Sequence, residues 1–190
     1  MLWDVTFYRA AVKDELLSFL PAVGLPAAVF NADSTVHQGI EASLDWELGS
    51  ELLGGPLRLR QTYAWSDFHF DGDIAYGNNR LPVAPEHQYR VSLRYDAPSG
   101  FYIEPGIDWR PLDTFVDHAN TLKAPGYVLF NLGAGYRLSD SVNFFLDLRN
   151  IADEHYVAEF GSVTDARTAQ TAVFYPGEGR SIFAGITTRF

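Results

Sequence analysis

Few side chains in this sequence are spaced for covalent chemistry. Ser66, His69 and Asp71 supply the residue types of a hydrolytic triad in one short stretch, but such a site is defined by geometry, and spacing alone orients no base. Cysteine is absent, which removes thiolate metal sites, cysteine nucleophiles and disulfide staples. The chain contains no Gly-x-Ser-x-Gly elbow, no phosphate-cradling glycine loop and no histidine pair at helical metal spacing. Gly177-Glu178-Gly179 reads as a turn. Asp71, Asp73, Asp113 and Asp117 have the oxygens to hold a cation such as calcium, though without an EF-hand pattern. The residue types therefore predict no catalytic group, no cofactor and no dedicated metal centre.

Composition narrows the class further. The 190 residues carry 24 acidic against 14 basic side chains, a formal charge of −10, which argues against a nucleic-acid partner because phosphate binding calls for a basic stripe. No polybasic cluster marks a dock for anionic lipid. Met1 to Phe7 has no basic segment followed by an apolar run and a cleavage site, so an exported protein of this sequence is expected to be a piece of a longer chain. The most apolar stretch, Leu16 to Phe30, is broken by Ser18, Pro21, Gly24 and Pro26 and is too short for a membrane-spanning helix.

The elements that would position any site follow a period of two. Val36, Gln38, Ile40, Ala42, Leu44, Trp46 and Leu48 fall on one face, where only Gln38 is polar, and His37, Gly39, Glu41, Ser43, Asp45 and Glu47 on the other. Comparable alternation begins at Trp3, Leu57, Tyr89, Phe101, Val128, Phe144 and Ile182, predicting eight antiparallel strands of about ten residues. Val12, Leu16, Leu17 and Leu20 have helical spacing, so a short helix over 10–20 is an alternative. Connections alternate in length: long at about 18–35, 67–86, 111–126 and 152–178, short at 49–55, 96–100 and 138–141. That rhythm describes an up-and-down meander with short turns at one end and long loops at the other, as in outer-membrane barrels.

Alternation does not say which face is dry, and a soluble sandwich alternates too. Strands of about ten residues match the nine to eleven needed to cross a bilayer at a tilt. Trp3, Trp46, Trp65, Trp109, Tyr63, Tyr95, Tyr127 and Tyr136 lie toward strand ends, where their rings could form interfacial girdles. The polar face carries Arg58, Arg60, Arg90, Arg94, Glu104, Asp108, Asp147 and Arg149. These observations predict a transmembrane barrel segment with lipid outside and water within.

The carboxy-terminal Gly179-Arg180-Ser181-Ile182-Phe183-Ala184-Gly185-Ile186-Thr187-Thr188-Arg189-Phe190 resembles the last strand of TonB-dependent outer-membrane receptors. Leu148-Arg149-Asn150-Ile151-Ala152-Asp153-Glu154-His155-Tyr156 is similar to that family's Asn-apolar-x-Asp-x-x-Tyr segment, with Ala152 in place of the usual Phe. Asn78 to His87 resembles a loop leading into a downward strand, and Thr35 to Glu41 a strand start. The resemblance implies an all-β, antiparallel up-and-down barrel of twenty-two strands around a plug, of which residues 1–190 would be the last third, with the plug absent. It implies a receptor importing a ferric siderophore or similar nutrient across the outer membrane of a Gram-negative cell. The implied partners are outer-membrane lipid, the barrel-assembly machinery reading Gly185 and Phe190, the iron chelate, and TonB through the missing amino-terminal region. Ligand contacts would come from Tyr76, Arg80, Arg110, His118, Tyr156 and Arg167, whose chemistry suits anionic or aromatic chelates. The alternatives are a self-contained eight-stranded outer-membrane barrel with a structural or adhesive role and, third, a soluble β-sandwich.

Overall fold

The computed structural model describes residues 1–49, 54–168 and 172–189. Its strands are β1 (Leu2–Phe19), β2 (Ala28–Glu47), β3 (Leu57–Phe70), β4 (His87–Asp96), β5 (Phe101–Arg110), β6 (Thr114–Phe115), β7 (Lys123–Ala124), β8 (Tyr127–Ser139), β9 (Val142–Arg149), β10 (Val157–Gly161), β11 (Val173–Pro176) and β12 (Ser181–Thr188). Eight of them form one antiparallel sheet in the order β1-β2-β3-β4-β5-β8-β9-β12. The remaining four make two small hairpins, β6-β7 and β10-β11, inside the long connections. The eight predicted strands are thus the eight of the sheet. β1 and β12 are its opposite edges, so the alternative of a small barrel closed on itself is not the arrangement observed.

Two expectations need correction. Residues 10–19 are strand, not helix: β1 pairs with β2 from Leu2 opposite Asp45 to Phe19 opposite Ala28. A lone helix of that length is marginal in water, whereas pairing with β2 satisfies the backbone groups of the segment. The expected 18–35 loop consequently shrinks to residues 20–27. At 18 and 20 residues, β1 and β2 are also longer than a bilayer crossing requires, and they run past the neighbouring strands as a paired stalk.

Register fixes which side chains share a face. Leu59 lies opposite Leu93, Val91 opposite Ile107, Ile107 opposite Phe130, and Leu132 opposite Leu148. This apolar face stays open rather than packing on a second layer: Leu93, Ile107, Phe130 and Leu146 are all more than a third exposed. A soluble sandwich would bury them; a bilayer covers them with lipid instead. At the long-loop end of this face Tyr63 stacks on Tyr89 at 4.6 Å and Tyr89 on Trp109 at 5.2 Å. At the other end Phe101 sits opposite Tyr136, Tyr95 opposite Ile103 on the next strand, and Trp46 opposite Leu59 farther along the sheet. Two aromatic girdles result, with one correction: Tyr127 pairs with Arg110 on the polar face and belongs to the lumen wall.

The polar face contains a repeated device in which an aromatic ring lies over a cross-strand glycine. Tyr8 faces Gly39, Tyr102 faces Gly135 and Phe145 faces Gly185. A Cβ on Gly185 would approach the Phe145 ring to 2.6 Å, and one on Gly39 or Gly135 would collide with the tyrosine hydroxyl. Glycine is required there by close approach and gives the ring a seat in the sheet. Phe190 lies outside the described residues.

The buried core sits at the long-loop end of the sheet, where the ends of β1, β2 and β3 meet the connections. Ala32, Phe70 and Leu81 form its centre, packed by Leu17, Phe30, Phe68 and Tyr76, with Val116 and Val163 fully buried nearby. The long connections therefore fold together as a cap over one end of the sheet.

Candidate functional site

Along the lumen wall nearly every arginine has a carboxylate. Arg58 pairs with Asp45, Arg90 with Asp108, Arg94 with Asp96 and Glu104, Arg137 with Asp96, and Arg149 with Asp147. Arg60 sits 3.7 Å from Asp45 and 3.8 Å from Glu104. The wall is highly charged in residue type and nearly neutral in effect.

Arg110 departs from this pattern. At the top of β5, its guanidinium lies over the Tyr127 ring at 5.1 Å, and the Tyr127 and Tyr156 rings meet at 4.5 Å. No described carboxylate lies within ion-pairing distance of Arg110. Below it, Arg90 and Asn131 both donate to Asp108, the latter at 2.8 Å. These residues line two adjoining recesses of about 440 and 530 Å³ on the lumen side. The result is a cation backed by two phenol rings, a surface suited to anionic and aromatic groups.

The six ligand candidates named from sequence fall into separate places. Arg110 and Tyr156 converge through Tyr127, which sequence reading had assigned to a girdle; its parity within the strand, opposite to that of Val128, was the available signal. Tyr76 and His118 meet in the cap, their rings 5.6 Å apart. Arg80 bonds Glu86 at 2.7 Å, and its backbone N–H and C=O are held by the Asn120 side chain, so it braces the loop. Arg167 clasps Asp165 on an exposed turn, and that hydrogen bonding lowers the Asp165 carboxyl to about 2.

The cap's polar groups are bound to one another. Buried Asp117 accepts from Thr121 N, Thr121 Oγ1, Leu122 N and Ala166 N. Burial would raise its carboxyl, but those donors outweigh it and hold the pKa below the usual aspartate value. Asp73 accepts from Asp33 N, Ala75 N and Tyr76 N. Asp113 accepts from Gly126 N, so three of the four acidic residues considered for a cation hold loop backbone instead, and no metal-holding cluster occurs among the described residues. Nor do Ser66, His69 and Asp71 assemble: the carboxylate beside His69 Nδ1 is Asp67 at 3.4 Å.

The Asn150-to-Tyr156 segment has a structural explanation. Asn150 and Asp153 both adopt positive φ, 48° and 57°, a conformation short polar side chains tolerate. Asn150 bonds Glu154 N, Glu154 O and Glu178 O, and Asp153 accepts from Arg180 N at 2.9 Å. The motif ties the end of β9 to the chain entering β12, which brings Tyr156 over Gly177 beside Tyr127.

Among solved structures, the siderophore receptor PiuA from Acinetobacter baumannii superposes with a TM-score of 0.74 at 17% identity, over 98% of this chain and 26% of that one. The ferric yersiniabactin uptake receptor FyuA from Yersinia pestis gives 0.72 at 18%, over 98% and 27%. The copper transporter OprC gives 0.74 at 18%, over 99% and 28%. The chain therefore spans about a quarter of the length of these proteins, and the likeness is one of fold. The sequence itself matches the family described as TonB dependent receptor-like, beta-barrel, over residues 1–151. That match covers most of the chain, agrees with the open apolar face and its girdles, and places the chain in an outer-membrane barrel family of Gram-negative bacteria whose members are receptors rather than enzymes. The chain belongs to the TonB-dependent receptor β-barrel family.

Proposed function

We propose that this chain is the carboxy-terminal barrel portion of a receptor that takes up an anionic iron chelate, with Arg110, Tyr127 and Tyr156 as its ligand-facing wall. The observation that carries the reading is the charge of Arg110, which has no carboxylate partner, beside a row of wall arginines (Arg58, Arg60, Arg90, Arg94, Arg137 and Arg149) that each have one. A fixed cation at the mouth of a lumen draws anions and focuses their approach. Structural neighbours include a siderophore receptor and a copper transporter, so fold leaves the cargo open and wall chemistry selects it. Tyr76 and His118 then act through the cap, and Arg80 and Arg167 at its rim. In this reading plug and TonB contacts are made by parts of the receptor other than this barrel portion, Gly185 and Phe190 form the strand signature read by the barrel-assembly machinery, and lipid covers the apolar face.

The test is Arg110→Gln in the membrane-assembled receptor. A charge-assisted contact is worth about 1.5–3 kcal/mol, so ferric-chelate affinity is expected to fall about ten- to hundred-fold, with thermal stability unchanged. Undiminished affinity for every anionic chelate the receptor takes up would place the ligand elsewhere.

A further inference from the structure

His118 is the junction of the cap. Its backbone N–H donates to Val163 O at 3.0 Å, and its carbonyl accepts from Asn79 Nδ2 at 3.0 Å. Its ring is 2% exposed and is enclosed by Phe30 at 4.9 Å, Tyr76 at 5.6 Å and Phe70 at 5.8 Å. Nε2 lies 3.5 Å from Ser18 O, a long contact, and Nδ1 is buried with no partner. One residue thus touches the β1-β2 stalk, the 71–86 connection, its own 111–126 loop and the 161–168 segment.

We propose that His118 is an acid-sensitive latch: the neutral imidazole holds the loop cap closed, and protonation releases it. A neutral ring can place its single N–H toward Ser18 O and leave bare Nδ1 among aromatic rings. An imidazolium must bury a second N–H with no acceptor and a full charge with no counterion. No acidic group around it supplies one in contact. Asp117, on the same loop, attracts the imidazolium through space, but its carboxylate is saturated by four donors and burial outweighs that attraction. On the 71–86 connection Asp73 is occupied by three backbone N–H groups and Tyr76 presents a neutral phenol. Asp165 on the 161–168 segment is taken by Arg167. On the stalk Glu15 is turned to Thr35 and His37, and Asp14 to Asn31.

Burial accordingly holds the His118 pKa below the usual histidine value of 6.5 in the closed cap. In the open cap the ring is solvated and titrates near that value, so the closed form loses stability as pH falls through about 6.5 and levels off below the closed-state pKa. The loop that His118 anchors joins Arg110 directly to Tyr127, so release frees the connection between the two sides of the lumen-wall site. The latch stands whatever ligand that wall receives.

Amide exchange in the membrane-assembled protein tests it. Protection at Leu20, His118 and Ala119, whose N–H groups bond across the cap, is expected to fall about ten-fold or more between about pH 7.5 and about pH 5 after correction for intrinsic rates. Sheet amides at Ile107 and Phe130 should not change. His118→Phe keeps the aromatic packing without a titrating group and should abolish the pH dependence. Constant protection in the wild type, or the same loss in His118→Phe, overturns the latch. If His118→Phe fails to close its cap at neutral pH, imidazole NMR of the wild type decides. Titration at or above the ordinary histidine range overturns the proposal, and proton uptake coincident with amide opening supports it.

Discussion

Replacing Asn150 with alanine is expected to destabilise the assembled protein by about 4 kcal/mol, the sum of buried partners left unmatched and a strained backbone. The Asn150 side chain is almost fully buried and makes three hydrogen bonds, at 2.8 Å from Glu154 N and at 2.9 and 3.1 Å to Glu154 O and Glu178 O. Alanine orphans all three groups and must also hold φ near 48°. Aspartate at this position retains the acceptor and tolerates the backbone but loses both donations, so Asn150→Asp should fall between, at about 2 kcal/mol. Denaturant midpoints in detergent micelles rank the three proteins. Equal midpoints for wild type and Asn150→Ala would show that the turn is held by other contacts.

The second large effect is expected at Gly135. A methyl group there would land on the Tyr102 hydroxyl and on the backbone oxygen of Phe144. The ring can rotate away only by giving up its stacking under Arg94, whose guanidinium sits 4.1 Å from the ring centroid, and the backbone oxygen cannot move without disturbing the β8-β9 ladder. Gly135→Ala should therefore cost about 3 kcal/mol, the upper end for overpacking. Gly133, two residues earlier on the same face, supplies the control. Its added Cβ would meet Glu104 no closer than 3.7 Å, an ordinary contact, so Gly133→Ala should change stability by less than about 1 kcal/mol. Comparable losses in both variants would mean that strand propensity, and not the aromatic seat, sets the cost.

The charged wall shows where sequence reading reached its limit. Alternation assigned Arg58, Arg90, Asp108 and Asp147 correctly to the wet face, because a strand's period of two is a local property that survives any tertiary arrangement. Partner choice is not local. Arg90 and Arg110 read alike in sequence, yet cross-strand register gives Arg90 the carboxylate of Asp108 and gives Arg110 the ring of Tyr127. The same holds for the candidates Tyr76 and His118, read as rim contacts, which the fold turns inward to form the cap.

What the amino-acid order determined by itself was the class: strands with one greasy and one charged face, aromatic ends, unequal connections and a family-like carboxy terminus. These signals are carried by residue spacing within single strands and turns, so no contact between distant segments is needed to read them. What only the tertiary structure decided was which charges are spent on one another, which glycines lie under rings, and how a strand pair and three loops close around one histidine. Each of those depends on register and on side chains brought together from as far apart as Ser18 and His118, and pairing across such separations leaves no periodic trace in the chain.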